Sequence, residues 1–175
     1  MSSATQEPPA KPLTIQQEFL LYWGQMPDKG MFLGLLAAWI LLFQFLGNST
    51  LGYVNTPSLF SWMEWVLKMA AGDEDHARLI PFVVVALCWW KRKILIEVPK
   101  RPWWPALFLL AAALGCHVIG FLIQQPQISA VAFFLGIFAL MGLTWGYRWL
   151  SASFFPFFLF AFCVPTKNVI EFVTF

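Results

Sequence analysis

The feature that most constrains this chain is the gathering of its apolar residues into blocks free of charge. Met31–Leu46 contains no Asp, Glu, Lys or Arg, and Gln44 is its only strongly polar side chain. Leu79–Trp90, Pro105–Ile123, Ile128–Trp145 and Phe154–Val164 are equally free of those four residues. A half-buried sheet needs apolar and polar positions to alternate, and these blocks do not alternate. Charged residues make up 11% of the chain and hydrophobic ones 59%. A soluble domain carries about 25% charged residues, so a soluble core is excluded. The pattern predicts an all-α fold: a polytopic transmembrane helical bundle with about five spanning helices plus interfacial helices. A bilayer core takes roughly 20 helical residues. Met31–Leu46 lies near the lower limit, and Leu79–Trp90 is short. Ile94–Ile96 can lengthen the latter if Lys91, Arg92 and Lys93 snorkel toward the head groups.

Polar punctuation divides the chain into a cytoplasmic tail with an interfacial helix (1–30) and a transmembrane region (31–175). Residues 1–11 read as a disordered tail. Thr14 and Gln17 stand at capping-box spacing. Ile15, Phe19, Tyr22 and Trp23 fall on one helical face suited to a membrane surface. Thr56-Pro57 opens a second surface helix with Leu59, Met63, Val66 and Ala70 as its apolar stripe, and Gly72 stops it. Pro81 is expected in the first turn of the second span, where a missing N–H does little harm. Gln124–Gln127 is expected to form a tight polar turn. Gly115, Gly120, Gly136 and Gly142 are small enough to let helices approach closely.

Five of the eleven basic residues sit in one connector: Lys91, Arg92, Lys93, Lys100 and Arg101. Cytoplasmic loops are enriched in Lys and Arg, so this connector is expected inside. Alternation then puts the N-terminus and Arg148 inside, and the 48–77 segment and the 124–127 turn outside. A net charge of +2 gives no basis for nucleic-acid binding.

Asp73, Glu74, Asp75, His76 and Arg78 cluster at the expected outer mouth of the second span. Histidine exchanges protons near neutral pH, and nearby carboxylates favour its charged form. Adjacent residues rarely all face one ion, so no metal and no cofactor is expected, and a solvated charge cluster at a helix end is the plainer alternative. His117 lies within the third span, where an ionisable group is costly; one interhelical hydrogen bond as neutral imidazole explains it. Cys88, Cys116 and Cys163 lie in apolar blocks and read as small buried hydrophobes. No GxSxG, HExxH or phosphate-binding glycine loop is present.

Two blocks carry a resemblance. The first is Gly72-Asp73-Glu74-Asp75-His76-Ala77-Arg78-Leu79-Ile80-Pro81, running on to Trp89-Trp90-Lys91-Arg92-Lys93. The second is Gly146-Tyr147-Arg148-Trp149, then Phe155-Pro156-Phe157-Phe158-Leu159-Phe160, then Val164-Pro165. In order and spacing they resemble the exosortase/archaeosortase family from about Trp62 to the end of the chain. Asp75 and Ala77 stand where that family usually has Ser and Gly beside the His, and Thr166 where a second Pro is common.

The resemblance implies an integral membrane cysteine transpeptidase. Such an enzyme cuts a C-terminal sorting signal from exported proteins at the outer face and passes the protein to another anchor. It implies residence in a bacterial inner membrane, partners among exported proteins and membrane lipid, and no nucleic acid. The family's Cys nucleophile and its Arg and His partners are expected beyond Phe175, so the chain reads as a fragment without its catalytic core. Asp75, His76, Pro81 and Arg148 are the residues that would shape the site. The competing reading is a non-enzymatic membrane protein, such as a transporter subunit or an assembly scaffold.

Overall fold

Helices build the whole of the computed structural model, which describes residues 14–46, 58–69 and 75–163; no strand occurs among the described residues. In chain order they are α1 (Ile15–Gln25), α2 (Lys29–Phe45), α3 (Leu59–Met69), α4 (Asp75–Trp90), α5 (Arg92–Glu97), α6 (Ala106–Leu122), α7 (Pro126–Trp145) and α8 (Tyr147–Phe158). A 3₁₀ turn, Leu159–Cys163, follows α8.

The central element is α7, which packs against α2, α3, α6 and α8. It has 20 residues and a mean hydropathy of 2.1, enough to cross a bilayer unaided. α1 and α2 reach that standard only as a pair, bent by 95° between them. α6 and the Leu79–Trp90 part of α4 are apolar but shorter. The expected five spans therefore rest on short helices, with one long helix among the described residues.

Small residues set how closely α7 is approached. A Cβ at Gly136 would collide with the Trp39 indole, and one at Gly120 would lie 2.9 Å from the Ser129 hydroxyl. At Gly142 it would come within 2.6 Å of Leu150. Gly115 is different: a Cβ there would meet nothing within 4 Å. Trp39 uses the space at Gly136 to donate its indole N–H to the Phe133 carbonyl at 3.0 Å. Phe43, Phe133 and Phe60 then pack edge to face beneath it.

Several boundaries differ from expectation. The capping box of α1 forms as read, with Thr14 and Gln17 bonding each other's backbone N–H groups. Of the α3 stripe, Leu59 and Val66 are buried and Met63 is partly buried, with Trp62 buried beside them. The Thr56-Pro57 opening, Ala70 and the Gly72 stop lie outside the described residues. α4 starts at Asp75, not Leu79, so Pro81 sits in the helix interior rather than the first turn. There it removes the hydrogen bond to the Ala77 carbonyl, a cost that the surrounding helix absorbs. α4 does not run on through Ile94–Ile96, because the chain breaks at Lys91 and restarts as α5. Pro126 and Gln127 belong to α7, with Pro126 in its first turn, where proline fits. The turn shrinks to Ile123–Gln125, and Gln124 takes a left-handed φ of 60°.

Candidate functional site

The four residues expected to shape a site fall at two separate ends of the bundle. Asp75 and His76 occupy the first turn of α4, and Pro81 follows in its exposed second turn. At 1.5 Å per residue, α4 carries the chain about 22 Å from Asp75 to Trp90. Just past that far end, the Lys91 ammonium stands 5.9 Å from the centre of the Phe155 ring of α8. Arg148 lies two turns before Phe155 on α8, which packs on both α4 and α5. The structure thus keeps Arg148 apart from Asp75, His76 and Pro81.

The end holding Arg148 is the basic one. Lys29, Lys91, Arg92, Lys93, Lys100, Arg101 and Arg148 collect there, seven of the eleven Lys and Arg residues. α1 crosses this end and anchors it. Glu18 of α1 accepts a hydrogen bond from the Arg92 guanidinium at 3.0 Å, in a half-buried ion pair. That guanidinium also lies over Trp89 at 4.7 Å and Tyr22 at 5.8 Å. Trp145 fastens the α1–α2 elbow by donating its indole N–H to the Pro27 carbonyl at 3.1 Å. Lys100 donates to the Ile96 carbonyl at 2.8 Å, closing the end of α5. Burial pushes its ammonium below the ordinary value of 10.5.

A cavity of about 440 Å³ opens at this end, lined by Pro99, Arg101, Pro102, Trp103, Gly146, Tyr147 and Arg148. Gly146 is its hinge. Its φ of 94° is one that side chains rarely adopt, and a Cβ there would run into the Arg101 carbonyl. That close approach lets the 99–103 connector lie against the start of α8, with Trp103 and Tyr147 in contact at 5.4 Å between ring centres. Trp103 also donates its backbone N–H to the Gly142 carbonyl at 3.3 Å. Sequence reasoning saw Arg101 as part of a basic connector and put Arg148 on the same side of the membrane. It missed their meeting, which rests on the close approach at Gly146 and has no signal in the spacing.

His117 takes the structural role read from the sequence. It is 7% exposed, packs 4.4 Å from the Phe43 ring and shares a 3.1 Å hydrogen bond between Nδ1 and the Ser129 hydroxyl. Cys88 and Cys116 are half-buried free thiols, and neither shares a hydrogen bond with a His or an acid among the described residues. No group of three or more His, Cys, Asp or Glu side chains that could hold a metal occurs among the described residues.

The family model described as transmembrane exosortase (Exosortase_EpsH) matches residues 62–175. No curated protein and no solved structure matches the chain.

Proposed function

Because the chain belongs to the transmembrane exosortase family, we propose that it acts in exosortase-type processing: a membrane cysteine transpeptidase that cuts C-terminal sorting signals of exported proteins at the outer membrane face. The observation that carries this reading is the family match, which runs from α3 through the helices that hold His76 and Arg148. The chemistry needs a thiolate to attack the peptide carbonyl and cationic or N–H donors to stabilise the oxyanion. The described helices supply a scaffold for such a centre, and their own half-buried thiols lack an activating base.

We place the protein in a bacterial inner membrane with its N-terminus and its basic end toward the cytoplasm. The support is the crowding of seven basic residues at one end of the bundle. In that orientation the first turn of α4 opens at the outer face, where an exported substrate arrives. His76, and Asp75 beside it, are then placed to tune the site, while Arg148 serves the opposite face.

The experiment is a comparison of the C-termini of exported proteins, by mass spectrometry, in cells with and without the gene. Processing by this protein predicts a set of substrates that keep their C-terminal segments only when the gene is absent. Identical C-termini in both cells would remove the proposal. Replacing His76→Ala in the complementing gene then asks about the site itself, since undiminished processing would take His76 out of the mechanism.

A further inference from the structure

The cavity at the foot of α8 has the composition of an anion site, and the processing reaction makes no use of it. Two arginines, Arg101 and Arg148, line one cavity of about 440 Å³. That volume falls within the roughly 300–1,000 Å³ of small-molecule sites. No ion pair engages either guanidinium among the described residues, whereas Arg92, nearby at the same end, is paired with Glu18. Two like charges carried at the edge of one cavity repel each other, and an anion held between them removes that repulsion. The shape is fixed by backbone, because Arg101 and Gly146 touch at a position where no side chain fits. Arginine's planar fork of donors suits phosphate oxygens in particular.

The rim indicates the depth at which the cavity opens. Tyr147 is 61% exposed and Trp104, next to the Trp103 wall, is 71% exposed. Exposed Tyr and Trp concentrate at the head-group level of a bilayer, and basic pockets between helices there take anionic head groups.

We infer that this cavity binds a phosphate group between Arg101 and Arg148, with Trp103 and Tyr147 forming its aromatic wall. The phosphate chemistry is common to an anionic phospholipid head group and to a soluble phosphate ester, and the level of the rim favours the lipid.

The test uses the full chain purified in a neutral detergent. Native mass spectrometry and titration compare phosphatidylglycerol, phosphatidylcholine and glycerol phosphate as probes. Preferential retention of phosphatidylglycerol over phosphatidylcholine supports the site with lipid as its source. Binding of glycerol phosphate as tight as that of the lipid supports the site with a soluble ligand instead. In either case Arg101→Gln and Arg148→Gln should each weaken binding about tenfold, the equivalent of one charge-assisted contact. Lys93→Gln, a charge at the same end but outside the cavity, should leave it within about twofold. Equal retention of the two lipids with no glycerol phosphate binding overturns the inference. So does an equal loss in all three variants, which would make the effect one of general charge. Circular dichroism of each variant separates lost binding from lost folding.

Discussion

Gly136→Ala is the sharpest single perturbation of the bundle. In an exposed helix, replacing glycine by alanine stabilises by up to about 1 kcal/mol. At Gly136 the new methyl would occupy the space of the Trp39 ring. That ring cannot step aside easily. It is 6% exposed, packs 5.2 Å from Phe43 and is tied to the Phe133 carbonyl at 3.0 Å. Overpacking of this kind costs about 1–3 kcal/mol, and loss of the interhelical hydrogen bond adds about 0.6 kcal/mol. Set against the propensity gain, the net change is a loss of about 1–3 kcal/mol. Gly115→Ala is the internal control, because its new methyl would meet nothing within 4 Å; it should be neutral or stabilising by up to about 1 kcal/mol. The assay is unfolding in detergent followed by circular dichroism, with a double-mutant cycle against Trp39→Phe. Once Trp39 is replaced by the smaller ring, Gly136→Ala should lose at least half of its effect, since part of the colliding indole is gone. Equal stabilities for the two alanine variants, or additivity in the cycle, would refute the reasoning.

Other consequences follow from single contacts. Gly146→Ala forces a side chain into a left-handed backbone against the Arg101 carbonyl and should destabilise by about 1–3 kcal/mol, read as a lower detergent unfolding midpoint. Ser129→Ala removes the hydroxyl partner of His117 and should cost about 0.6–1.7 kcal/mol without touching processing, which a paired stability and processing assay would show. Lys68, 2.6 Å away on an exposed face, holds the Glu64 carboxyl below its ordinary 4.5. A lowered folded-state value means that the pair's small contribution is full above pH 4.5 and fades as pH falls through the lowered value; a carboxyl NMR titration should see Lys68→Ala return Glu64 toward 4.5.

The α-helical class and most of its elements were legible because uncharged blocks leave the backbone no stable form in lipid other than helix. The capping box at Thr14 and the packing glycines at 120, 136 and 142 were legible for the same local reasons. Boundaries were harder. Asp75 and His76 looked like loop because they are polar, yet acidic residues favour the first turn of a helix through its dipole. The same shift moved Pro81 into the helix interior. Gly115 shows the converse, since composition cannot tell a packed glycine from an idle one. The candidate site was legible as residues and not as an assembly. His76 and Arg148 stand in different family motifs, and the alternation of spans had already set them on opposite sides, in agreement with their separate ends of the bundle. The Arg101–Arg148 cavity needed the close approach at Gly146, which no spacing rule encodes.

The most direct test is the side of the membrane on which the two ends of α4 emerge. With the native cysteines replaced, His76→Cys and Lys93→Cys would each be treated with a membrane-impermeant maleimide in intact spheroplasts and again after permeabilisation. A bundle that crosses the bilayer with its basic end inside predicts labelling of position 76 in intact spheroplasts and of position 93 only after permeabilisation. Labelling of both positions under the same condition would contradict it.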